Sequence, residues 1–76
     1  MEKQQLFDQL RGLTEDWNEH DLVPEAQKQE CREIGVKLNE LGGYQLMTDA
    51  YYDAKAHNRC ASVVQAYWDG VGDWRW

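Results

Sequence analysis

The sequence is short of several things, and each shortage excludes a class of protein. Basic side chains are few: 8 Lys plus Arg face 14 Asp plus Glu, for a formal charge of -6. Such a field repels phosphate backbones and attracts basic partners, which argues against direct nucleic-acid binding. No apolar run approaches the ~20 residues that cross a bilayer, so no membrane span is expected. Two cysteines allow one disulfide at most. No basic, apolar, small-residue leader opens the chain, so the expectation is a cytoplasmic protein with reduced thiols. There is no Cys-x-x-Cys pair, and Gly42-Gly43-Tyr44 lacks the lysine and hydroxyl of a phosphate-cradling loop. With 76 residues the chain forms one small domain that buries only ~60% of its unfolded surface, too little to build a deep catalytic cleft.

What is present is helical periodicity. Leu6, Leu10, Leu13 and Trp17 recur at steps of four, three and four, with Phe7 flanking them, and predict a helix over 3–17. Gly12 weakens it, costing ~1 kcal/mol relative to Ala unless the backbone must approach something there. Asn18-Glu19-His20-Asp21 supplies turn chemistry, and the only proline, Pro24, opens a second helix over 24–41. Cys31, Ile34, Leu38 and Leu41 form its expected seam, and Val36 points almost opposite. Glu33 and Lys37 stand four apart in the favourable order for an ion pair worth ~0.2–0.5 kcal/mol.

Gly42-Gly43 ends that helix, and a short connection implies an antiparallel third helix over 44–57. Leu46, Met47, Ala50, Tyr51 and Ala54 share one side of it, with His57 at the edge. Asp49, Tyr52 and Asp53 are expected opposite, which leaves the Tyr52 ring outside the core. Asn58 caps a fourth helix over 59–69, with Cys60, Ala61, Val64, Tyr67 and Trp68 on one face, and Gly70 stops it. Val71 and Trp74 are expected to fold back onto the bundle. The fold class is therefore all-α, a compact bundle of three to four short helices in a single domain over 1–76 with an ordered C-terminal tail.

Ile34-Gly35, Leu38-Asn39, Gly42-Gly43, Leu46-Met47, Tyr51-Tyr52 and Trp68-Asp69-Gly70-Val71-Gly72-Asp73-Trp74 together resemble a family of small bacterial proteins. That family repeats a glycine pair, a leucine-methionine helix and a terminal tryptophan-flanked glycine signature. The resemblance covers roughly the last 45 residues. It implies the helical architecture and brings no catalytic or binding residue with it. Residues 1–30 lie outside it.

Chemistry finds few footholds. His57 and Cys60, three apart, could share a metal with Asp53, Cys31 or His20, or serve as a thiol and base. Packing explains the same residues as two small buried thiols and one edge histidine, and burial raises a thiol's pKa and makes it inert. Asp49 and Asp53 lie one turn apart, close enough for paired carboxylate chemistry, on a face that solvated helices normally present. The expectation is no enzyme, no cofactor and no metal, with the metal-stabilised or thiol-enzyme reading as the competing class.

Binding remains. Val36, Tyr52, Asp49, Asp53, Trp74 and Trp76 are the candidate protein contacts, because tyrosine and tryptophan are enriched at interface hot spots. The partner is a protein, basic or nucleic-acid-binding, or a second copy of the chain as a homodimer. For Trp68 and Trp74, completion of an undersized core competes with a contact role. Glu15, Asp16, Glu19, Asp21, Glu30, Glu33 and Glu40 extend the acidic surface. In size and charge the chain is similar to phage- or plasmid-encoded inhibitors of restriction or CRISPR systems, which place carboxylates where phosphates would lie. Ordinary solubility explains the same charge, and Lys and Arg interrupt each acidic row.

Overall fold

The computed structural model describes residues 2–18 and 22–75. Its first helix, α1, spans Glu2–Thr14 and buries Leu6, Leu10 and Thr14. Thr14, its last residue, turns its hydroxyl back onto Leu10 O at 2.9 Å. Trp17, expected in the last helical turn, lies just beyond the helix and is still buried.

Helix α2 spans Glu25–His57 and is broken at Gly43, whose φ of 67° and ψ of -160° suit only glycine. Pro24 stands at the cap, and its carbonyl accepts from Gln27 N and Lys28 N at 2.9 and 3.0 Å. The expected second and third helices are thus two arms, 25–42 and 44–57, hinged where the glycine pair predicts. Cys31, Ile34, Gly35 and Leu38 are buried on the first arm, and Leu46, Met47, Ala50, Tyr51 and Ala54 on the second.

Packing partners fix the directions. The start of α1, with Leu6, shares a groove with Lys37 and Leu41, while its end, with Leu13, shares one with Gln27 and Glu30. α1 is therefore antiparallel to the first arm. Arg11 meets Asp53 and Thr14 meets Asn58, so α1 is parallel to the second arm, and the two arms are antiparallel to each other.

The fourth helix is shorter than expected. Arg59–Val63 form a 3₁₀-helix and Val64–Tyr67 a single α turn, α3. Asn58 caps the entry as predicted, accepting Cys60 N–H at 3.1 Å. Its amide also donates to Thr14 O at 2.6 Å and Trp17 O at 2.9 Å, so one side chain closes α1 and opens the 3₁₀-helix. The tight winding starts from that anchored entry and gives way to an α turn at Val64.

The tail then runs along the first arm. Arg32 donates to Tyr67 O and Asp69 O, Trp68 Nε1 donates to Cys31 O at 2.8 Å, and Gly72 abuts Asn39. Gly70, at a φ of 88°, lets the chain close on itself: Gly70 N donates to Trp74 O, and Trp74 N to Val71 O, each at 3.0 Å. Trp68 and Trp74 meet edge to face at 5.2 Å within the core.

The described residues are all-α, and none of their helices is long and apolar enough to cross a membrane. Two expected contacts are absent. Leu41 is 45% exposed, because it sits in the last turn before the hinge, beside only the first turns of α1. Glu33 and Lys37 do not come within ion-pair distance; the pairs among the described residues are Arg11–Asp53 and Lys28–Glu25.

Candidate functional site

The second arm of α2 presents an aromatic ledge. Tyr44 and Tyr51 are seven residues apart, two helical turns, and therefore point the same way. Trp74 from the tail sits against both, 5.2 Å from Tyr44 and 5.9 Å from Tyr51, and Tyr52 leans on Tyr51 at 5.1 Å. The middle of this row is buried and its ends are open: Tyr44 is 52% and Tyr52 60% exposed. Polar bonds lock the buried rings, since Gln65 Nε2 donates to Tyr51 Oη at 2.9 Å and Trp74 Nε1 to Gln65 O at 3.2 Å.

Asp49 stands one turn before Tyr52, exposed, and accepts from Gln45 Nε2 at 3.1 Å. Thr48, between Tyr44 and Tyr52, returns its hydroxyl to Tyr44 O. The ledge thus offers two rings with hydroxyl tips, one carboxylate and little free torsion. Lys55, 5.8 Å over the Tyr51 ring, marks its far edge.

Other sequence-predicted positions are distributed differently. Val36 is exposed on the outer face of the first arm, in a shallow depression with Arg32, Glu33 and Glu40, away from the ledge. Trp74 is only 4% exposed; it supports the ledge from beneath and is not available to touch a partner. Trp76 lies outside the described residues, as do Glu19, His20 and Asp21.

Asp53 is the larger correction. Expected opposite the core, it lies about a quarter turn from the core direction, on the flank that α1 covers. Arg11 Nε and Nη2 each reach a different carboxylate oxygen at 2.7 Å, a bidentate ion pair between α1 and the second arm. That hydrogen bonding holds Asp53 below the usual carboxylate range and raises Arg11 above its ordinary value. The carboxylate is half-buried and engaged, so it does not form a working pair with Asp49.

The thiols also separate. Cys31 is fully buried, and burial pushes its pKa up to about 12. Cys60 is half-buried at the edge of another groove, and the His57 Nδ1 points to its own helix, 2.9 Å from Asp53 O. Among the described residues no three His, Cys, Asp or Glu side chains converge as metal ligands.

Sequence reasoning passed over Tyr44, Leu22 and Val63. Tyr44 carried a usable signal: it opens the arm after Gly43, where no preceding turn can cover a large ring. Leu22, 94% exposed, and Val63, 41% exposed, carried none, since an exposed apolar residue is ordinary when seen alone. Comparisons with protein-family models, curated proteins and solved structures return no match.

Proposed function

We propose that this chain is a small, non-catalytic protein-binding module that meets its partner through Tyr52 and Tyr44, with Asp49 at the border of the contact. The observation that carries this reading is the support beneath the two exposed rings. Trp74 and Tyr51, both buried, hold them in place, so binding costs little side-chain entropy. The partner offers apolar surface to the tyrosines and a cation to Asp49, in keeping with the chain's net charge of -6. Val36, on the outer face of the first arm, lies apart from this contact.

The test is affinity purification from the native host with mass spectrometry, comparing wild type with Tyr52→Ala and Tyr44→Ala. Truncation of a hot-spot ring costs about 2 kcal/mol or more, roughly 30-fold in affinity, so a specific partner should drop out of both variant preparations. Light scattering on the same samples separates a heterologous partner from a second copy of the chain. Unchanged partners and unchanged mass in both variants would sink the proposal.

A narrower form makes the partner a nucleic-acid-binding defence protein that the chain inhibits. It is favoured by the groove in which Asp16 and Glu30 stand with Gln9, Gly12, Leu13 and Gln27, with no cation among the described residues that line it. Asp53 takes no part in it, being neutralised by Arg11. Binding of this kind weakens steeply with salt, whereas a tyrosine-centred contact tolerates salt, so a titration from low to high ionic strength distinguishes them.

A further inference from the structure

Two depressions along the seam between α1 and the first arm of α2 share Gln9 and so form one groove. Its α1 wall is Glu2, Gln5, Gln9 and Gly12, with Asp16 just past the helix end, at steps of three, four, three and four. Its other wall is Gln27, Glu30, Lys37 and Leu41, which keep the same spacing around the buried Ile34. A stripe of that period runs along one side of a helix and follows a further helix laid beside it, so two such stripes make a helix seat. Leu6 and Leu13 form its floor, and Leu41, 45% exposed, is open apolar surface at one end. None of the described residues that line it belongs to the second arm, so the seat is separate from the tyrosine ledge.

Gly12 marks where an occupant comes closest. It is exposed in the interior of α1, where glycine weakens a helix, and a Cβ there would meet no described atom within 4 Å. Gly35 is explained by Trp68, which fills the space a side chain would take; among the described residues nothing asks this of Gly12. A second helix packed at an interaxial distance of about 8–10 Å does ask it. Charge then selects that helix. Asp16 and Glu30 stand at one end of the groove, and Glu2 and Glu40 stand at the other beside Lys37. Glu19 and Asp21, close to Asp16 in sequence, carry the same sign. The described residues contain no strand, so docking here is by a helical face and not by β-pairing. We propose that the groove receives an amphipathic helix of a basic partner, its apolar side on Leu6, Leu13 and Leu41, its closest approach over Gly12, and an Arg or Lys beside Asp16 and Glu30. This holds whether or not the tyrosine ledge makes a contact of its own.

The probe is an alanine- and leucine-based peptide of about 18 residues, blocked at both ends and long enough to form a helix alone. It carries one arginine at each end of its leucine face, so either direction along the groove brings a cation to Asp16 and Glu30. Titrated into the full ¹⁵N-labelled chain, it should give saturable shifts centred on Gln9, Gly12 and Glu30. The same peptide with glutamate at both arginine positions should bind more weakly by about tenfold or more. Gly12→Leu is the deciding variant, because it fills the notch while improving helix propensity. Its urea midpoint should equal or exceed that of wild type while its affinity for the arginine peptide falls by about tenfold or more, a divergence that a merely structural glycine would not produce. Glu30→Lys, at an exposed position, should lose affinity to a similar degree, and its amide spectrum checks that it folds. The proposal is overturned if the arginine peptide gives no saturable shift, if the glutamate peptide binds as well, or if Gly12→Leu keeps wild-type affinity. Shifts centred on Tyr44 and Tyr52 instead would also overturn it, and would leave the tyrosine contact standing.

Discussion

Trp68 lies across Gly35 so closely that a Cβ on residue 35 would stand 2.5 Å from its Nε1, the nitrogen that donates to Cys31 O at 2.8 Å. A mid-helix glycine normally costs about 1 kcal/mol relative to alanine, so its presence here needs a packing reason, and the indole is that reason. Gly35→Ala should therefore destabilise the protein in spite of its better helix propensity, by about 1–3 kcal/mol, as overpacking of a filled site does. Urea unfolding followed by tryptophan fluorescence measures this, and a stability equal to or above wild type would refute the close approach.

Gly12 reverses the sign. It is exposed in α1, and a Cβ there meets nothing within 4 Å. Gly12→Ala should stabilise by up to about 1 kcal/mol through helix propensity and a less free unfolded chain. The two substitutions, chemically identical and measured in the same titration, separate packing from propensity.

The Arg11–Asp53 pair makes stability depend on pH. Hydrogen bonding to Arg11 lowers the Asp53 pKa in the folded state, so the pair's contribution is present above the ordinary aspartate value of about 3.9. It is lost as pH falls through the lowered folded value. Melting temperatures from pH 7 to pH 2 should fall in the acid range for wild type, and Asp53→Asn, less stable at pH 7, should fall less steeply there. Parallel curves for the two proteins would show that the pair adds nothing.

Asn58 serves four backbone groups with one side chain, so its isostere is informative. Asn58→Asp keeps the acceptor for Cys60 N–H but turns a carboxylate oxygen toward Thr14 O and Trp17 O, which the amide now contacts at 2.6 and 2.9 Å. The loss should exceed the ~1 kcal/mol of an ordinary cap deletion and should shrink when the new carboxyl is protonated at low pH. Chemical denaturation at pH 7 and pH 3 reads both effects.

The two thiols should be kinetically distinct. Cys31 is fully buried with its pKa pushed up to about 12, so thiolate there is scarce at neutral pH, while Cys60 is half-buried. Near pH 8 a disulfide reagent should titrate one thiol per native molecule and a second only after denaturant is added. Two equivalents released at equal rates under native conditions would contradict the buried placement of Cys31.

Periodicity located the core of the second arm because Leu46, Met47, Ala50, Tyr51 and Ala54 repeat without exception, and all five are buried. The glycine signals at 42–43 and 70 were equally legible, since each marks a backbone state other residues resist. Leu41 was misread because periodicity gives direction around an axis but not whether a neighbour extends far enough to cover the last turn. Asp53 was misread for a related reason: its flank is set by where α1 crosses, and Arg11 is 42 positions distant in sequence. The fourth helix was overextended because the pull of Asn58 on α1 is a tertiary contact with no local trace. Of the candidate contact residues, Tyr52 was legible as a large ring off the core face, but the rings that hold it come from elements brought together only by folding.

Residues 67–74 fill sites along the first arm of α2, at Arg32, Gly35 and Asn39, and reach the second arm at Tyr44 and Tyr51. During synthesis those sites stand open until the codon for Trp74 has been translated and the segment has cleared the ribosome exit tunnel. Earlier elements can form helical turns, but the two indoles that close the interior arrive after everything they seal. Closure of the interior thus waits for a segment that follows every element it covers, and a translational pause before residue 68 would leave an apolar trough exposed to chaperones and proteases.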